Sequence, residues 1–304
     1  MKLKKLAFTT TALMLGASVI FIACKKDSTA PATSPSGPQL VFVFKFDSTQ
    51  PRLNNLGQPD IMPAGHSGLS PLFNLMSSHY VELAPTAYTA LGTGDVLYRA
   101  PEVGSGASLA IDFTQSIVVP AGQPFLSVPL SSVTKGTYQY VRVSLAYQNY
   151  NIKFSAPTYG LYNLTGTIAS FIGFNTHITA YNINTKMVTV NGNRAQGYWG
   201  FESAYGVITG QAPPGATTVP NPIFASSPIP QGSCVVTGAF VNSAMVATPL
   251  TITGNESQSD TIVVSLSTNK SFEWKDANGN GLYEPLNGDT VVDMGVRGMV
   301  PIIK

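Results

Sequence analysis

The chain has 304 residues, with 17 Lys or Arg against 15 Asp or Glu. Only 11% of it is charged, well below the roughly 25% of ordinary globular chains. So even a balance carries no basic field, which excludes nucleic acid as the expected partner. Two cysteines exclude a disulfide framework and a cysteine-built zinc site.

The first residues, Met-Lys-Leu-Lys-Lys, form a positive n-region, and an apolar run of small residues carries on to Cys24. Residues 1–23 therefore read as a secretory signal rather than as part of the fold. The segment Phe21-Ile22-Ala23-Cys24 resembles a bacterial lipobox, with Phe21 where leucine is usual. That resemblance implies that the Cys24 thiol takes a diacylglycerol and becomes the mature N-terminus, anchoring the protein to a membrane through its lipid. The rival reading is a transmembrane anchor, since the apolar run approaches spanning length. Residues 24–38, rich in Ser, Thr, Pro and Ala, read as a flexible tether. Cys-Lys-Lys-Asp followed by such a tether resembles secreted lipoproteins of Bacteroidota. The implied location is the outer membrane, and with Asp27 as the single acid both the periplasmic face and the cell surface stay open. Loss of Lys2, Lys4 and Lys5 with the leader takes the 17 basic residues to 14 against 15 acids, a net charge of about −1.

From residue 39 the apolar pattern has period two almost throughout. Leu40 to Asp47 opens it, with Phe42, Phe44 and Phe46 on one face and Val41 and Val43 on the other. That pattern predicts a strand covered on both sides. Further strands are predicted at HYVELA, VLYRA, SLAIDF and FLSVPL. In Thr137 to Leu145, Val141, Val143 and Leu145 alternate with Tyr140, Arg142 and Ser144. TGTIASFIGF, HITAYNI, KMVTVN, SCVVTGAFV, PLTIT and TIVVSLS follow, each bounded by turn residues. The proline-rich segment 210–233 cannot be a central strand and is too long for an ordinary hairpin loop. No amphipathic helix with caps is evident. Residues 39–304 are thus expected to form an all-β, antiparallel β-sandwich, immunoglobulin-like or jelly-roll-like. One large domain is expected, with two fused sandwiches as the alternative.

The candidate chemistry begins with His66, His79 and His177, with Met62 and Met76 near the first two. Imidazole and thioether suit copper. The strand His79-Tyr-Val-Glu-Leu83 and the late motif Gly197-Tyr-Trp-Gly-Phe-Glu202 resemble the MbnP-like copper-binding β-proteins. That resemblance implies a copper site at the histidines. Gly65-His66-Ser67-Gly68 approaches a nucleophile elbow, but Leu69 stands where the second glycine belongs. Glu82, Asp112 and Glu202 are the carboxylates available to a glycosidase pair. Tyr138, Tyr140, Tyr147, Tyr150, Tyr159 and Tyr162, with Trp199 and Tyr205, could form a platform for a glycan or protein ligand. Cys234 reads as a buried free thiol once Cys24 is acylated.

The last cluster is Asp276-Ala-Asn-Gly-Asn-Gly-Leu-Tyr-Glu-Pro285. With Asp276 first, Asn278, Asn280, the Leu282 carbonyl and Glu284 fall at the alternating positions of a calcium loop, and Gly281 falls at its glycine position. Asn287 stands where the closing glutamate belongs, so Asp289 or Asp293 would have to complete the shell. Five of the 15 acids lie between Glu273 and Asp293. A tight polar turn is the competing reading. The sequence thus points to a lipid-anchored binding or structural protein, with a structural calcium. The alternatives are copper binding and a carbohydrate-active or glycan-binding role. No catalytic motif is complete.

Overall fold

The computed structural model describes residues 37–212 and 233–304. Cys24 and nearly all of the tether and the proline-rich segment lie outside them. Gly37–Lys304 form one unit. The chain is all-β, with no α-helix among the described residues and none long and apolar enough to cross a membrane.

One layer is a four-stranded sheet in the order β20 (Met299–Ile303), β17 (Asp260–Ser267), β1 (Gln39–Asp47), β7 (Pro124–Pro129). The facing layer is a seven-stranded sheet. Its main path runs β14 (Gly206–Gln211), β13 (Tyr198–Ser203), β10 (Leu161–Phe171), β9 (Tyr140–Ala156), β3 (Leu72–Ala84), β4 (Asp95–Arg99). The seventh strand, β15 (Cys234–Ala239), also pairs with β9. β9 has 17 residues, long enough to divide one edge between two partners. Tyr140–Leu145 pair with β15, and Tyr147–Ala156 pair with β10. Its other edge holds β3.

The period-two residues of three distant segments meet between these layers. Leu40, Phe42 and Phe44 of β1, Val141, Val143 and Leu145 of β9, and Ile262, Val264 and Leu266 of β17 share one fully buried cluster. Each such side chain contributes about 1.5–3 kcal/mol by leaving water. This is the sandwich that the alternation predicts, and most of its pairings are antiparallel. Two pairings are not: β1 runs parallel to β17, and β11 (Asn175–Asn182) runs parallel to β6 (Ala110–Asp112).

One face assignment also differs. The Val41–Val43 face of β1 is half-exposed rather than covered. The polar face of β9 is buried: Arg142 and Ser144 are inaccessible. Arg142 lies 3.4 Å from the Glu82 carboxylate and donates to the Ala87 and Thr89 carbonyls. Glu82 in turn accepts the Gly92 and Gly94 N–H groups at 3.1 and 2.7 Å. The loop between β3 and β4 therefore closes over this face, around a buried ion pair.

Three smaller sheets complete the described residues. β12 (Met187–Ala195), β11, β6 and β5 (Glu102–Val103) form one; β16 (Leu250–Ile252) pairs with β8 (Gly136–Tyr138). The third, β19 (Thr290–Asp293), β18 (Phe272–Lys275) and β2 (His66–Leu69), carries the polar loop.

Candidate functional site

The polar loop joins β18 to β19. Asp276 starts it and accepts the N–H groups of Gly279 and Gly281, both at 2.8 Å, and the Ser67 hydroxyl at 2.8 Å. Gly279 and Gly281 have φ of 71° and 76°, a left-handed turn that glycine takes without strain. Asn278 and Asn280 each accept the N–H two residues on, at 3.1 and 2.8 Å. Asp289 ties the loop's ends, accepting the N–H of Ala277 at 2.9 Å and of Glu284 at 2.7 Å. Glu284 is buried and accepts the side-chain amides of Asn278 and Asn287. Burial works to raise the Asp276 carboxyl, but the N–H and hydroxyl donors outweigh it and hold it below the usual range.

Among the described residues, no three His, Cys, Asp or Glu side chains converge as a metal-ligating group. The donors that fit a hard cation are Asp276 and the amide oxygens of Asn278 and Asn280. Each of those amide oxygens accepts one loop N–H and retains a second lone pair.

Beside this loop lies an apolar pocket of about 300 Å³, a volume at the low end for small-molecule sites. Strands β9, β10, β13 and β14 of the large sheet supply Ile152, Phe154, Ile168, Trp199, Phe201 and Ile208. The β18–β19 hairpin faces them with Phe272, Tyr283, Pro285 and Val291. The geometry follows from the sheet's register. Trp199 stands opposite Gly210 on β14, and Phe201 opposite Ile168 on β10. A Cβ at Gly210 would run into the Trp199 indole, and one at Gly166 into the Phe201 ring. Glycine at these two positions lets both rings lie down along the sheet. The facing hairpin is held by β9, whose Ser155 N–H donates to the Tyr283 carbonyl at 2.8 Å. The Tyr150 hydroxyl (2.9 Å) and the Gln148 amide of the same strand both donate to the Met294 carbonyl.

Asp293 is the charged residue in the pocket wall. It accepts the Gly295 N–H at 2.7 Å and lies 3.0 Å from Arg297. Burial pushes its carboxyl up, against the pull of Arg297 and the Gly295 N–H. Arg297 also meets Glu273 at 2.5 Å, and Arg52 meets Glu273 at 2.6 Å. His66 Nδ1 lies 2.5 Å from the other Glu273 oxygen. Burial works to raise Glu273, but His66, Arg52 and Arg297 hold it below the usual range.

The remaining sequence candidates are dispersed. His66 sits on Glu273, buried His79 on Glu102 at 2.8 Å, and His177 on Asn193 at 2.8 Å, in three different sheets. Ser67 of the elbow-like motif lies on β2, bonded to Asp276. Glu82 serves Arg142; Asp112 accepts the N–H and hydroxyl of Thr114; Glu202 clamps the backbone of Asn184, Thr185 and Lys186. The three carboxylates are thus committed to local structure. The tyrosine platform breaks up: Tyr138, Tyr147 and Tyr150 are buried, Tyr140 is half-buried, and Tyr159, Tyr162 and Tyr205 are exposed. β9 is central, so rings that alternate along it enter cores on both sides. Trp199 lines the pocket. Cys234 is a free thiol, partly buried, pushed up to about 12 by burial and by Asp293.

The pocket itself was missed. Its signal was present in the glycines that stand beside Trp199 and Phe201, but those pairings depend on register. No protein-family model, curated protein or solved structure matches this chain.

Proposed function

We propose that the protein is a lipid-anchored, extracytoplasmic binding protein of the outer membrane, acylated at Cys24, that holds an apolar small molecule. The observation that carries the binding role is the pocket of about 300 Å³ between β9–β10–β13–β14 and the β18–β19 hairpin. Five of its lining side chains are aromatic: Phe154, Trp199, Phe201, Phe272 and Tyr283. Sites of this kind take ligands by apolar burial, with a few polar groups setting orientation.

The test is titration of the tether-free domain, residues 39–304, with N-phenyl-1-naphthylamine, a neutral probe that fluoresces in apolar surroundings. Saturable binding at one equivalent is expected. Ile208 is 58% exposed, so Ile208→Asp disturbs the pocket wall without entering the core. That variant is expected to weaken the probe at least about tenfold, since it places a charge against an apolar guest. Unsaturable binding in the parent, or full binding in the variant, would sink the reading. The anchoring has its own test. Cys24→Ser should move the full chain from the membrane fraction to the soluble fraction, and retention would favour the transmembrane reading.

A second feature supports a structural calcium ion. Asp276 gathers the N–H groups three and five residues on, which sets Asn278 and Asn280 at alternating positions along the turn. Calcium bound there would stiffen the loop that supplies Tyr283 and Pro285 to the pocket.

A further inference from the structure

Asp293 keeps 22% of its side-chain surface open, and it lines an otherwise apolar pocket. Its oxygens meet the Gly295 N–H and Arg297, but the cluster around it is short of cations. Two guanidinium groups, Arg52 and Arg297, are shared by three carboxylates, Asp60, Glu273 and Asp293. His66 adds a third cation only in its protonated form. In the hairpin loop, Glu284 is the residue between the wall residues Tyr283 and Pro285 in the chain, and Asp289 acts on the Tyr283 phenol. Burial first, and then Asp289, push that phenol up to about 12. Both carboxylates accept only amide donors, and neither joins an ion pair among the described residues. The hairpin side of the pocket is therefore an apolar surface with a surplus of negative charge. Wall and charge together select one kind of guest.

We infer that the pocket takes an amphipathic organic cation, an apolar chain or ring system with an ammonium head placed at Asp293. This rests on the binding reading above and adds the charge of the guest. The apolar body is buried among Phe154, Phe201 and Phe272, and the head stays beside the carboxylate near solvent. A fatty acid or alkyl sulfate presents the wrong sign.

The experiment is displacement of N-phenyl-1-naphthylamine from residues 39–304 by decyltrimethylammonium and by decanoate, both below micelle formation. The cation is expected to displace the probe at about tenfold lower concentration, which is about 1.4 kcal/mol. In Asp293→Asn the ratio should fall below about threefold, because the neutral amide keeps the shape and loses the charge. Ile208→Lys places a positive charge at the exposed rim and should lower the same ratio without touching the Arg297 cluster. It therefore decides the matter where Asp293→Asn fails to fold. Equal displacement by the two amphiphiles, or a ratio that survives both substitutions, would overturn the inference while leaving the pocket as a neutral apolar site. Absence of probe binding in the parent would remove the binding reading itself.

Discussion

Glu273 shows how one side chain joins distant segments. Its carboxylate is 3% exposed and is shared by Arg52, His66 and Arg297, from three separate parts of the chain. Its folded-state carboxyl lies below the ordinary value of 4.5. The stability it adds is therefore fully present above the unfolded value and is lost as pH falls through the folded one. Asp293 works in the opposite sense, since burial raises it, so the slope of the parent alone is not diagnostic. Glu273→Gln isolates the effect. The variant should be less stable at neutral pH by about 3–5 kcal/mol, the cost of removing one partner from a buried ion-pair cluster. It should also lose part of the parent's destabilisation under acid. Urea melts of both proteins from pH 7 down to pH 3 test this, and parallel stability curves would refute it. The sequence marked His66 as a metal candidate and Glu273 as one of five clustered acids. That the two meet depends on β2 pairing with β18 across about two hundred residues, which no local pattern reports.

At the scale of elements, the alternating strands were the most legible part of the chain. β1 and β17 lie where period two places them, β9 starts at Tyr140 and runs past its pattern to Ala156, and the apolar faces of the three meet as one core. Partners were not legible, because alternation fixes a strand's faces and says nothing of its neighbours. Hence the parallel β1–β17 pair, the buried Arg142–Glu82 face and the pocket were unforeseen. The 276–289 loop lies between these cases. Its spacing was readable, and its turn forms through Asp276 as that spacing suggests, yet Glu284 and Asp289 bind loop amides. Calcium separates the two accounts. If the ion binds, calcium at a hundred times its dissociation constant stabilises the domain by about 2.7 kcal/mol, a rise of roughly 5–10 °C in Tm. Asp276→Ala should abolish that rise and also lower the calcium-free Tm, because Gly279, Gly281 and Ser67 lose their acceptor. A parent Tm indifferent to calcium would leave the loop as a hydrogen-bonded turn.

At the scale of the whole molecule, the choice between one domain and two fused sandwiches turns on how the end of the chain returns to its beginning. β17 adds to β1 and β20 adds to β17, so the first strand is completed by the last third of the sequence. β15 likewise fills the half-edge of β9 that β10 leaves open. Of the 29 buried residues in the main cluster, 11 follow the proline-rich segment. At about 1.5–3 kcal/mol each, their loss outweighs the roughly 5–15 kcal/mol of net stability that a domain possesses. A fragment of residues 39–212 should therefore fail to fold, although it holds most of the large sheet. Residues 39–304 should instead melt in a single cooperative transition. Amide exchange and circular dichroism of the two proteins, side by side, decide the question. Protected amides in β9 and β10 of the fragment would mean that the first part of the chain is a domain in its own right. The later strands would then be an addition that built the pocket onto it.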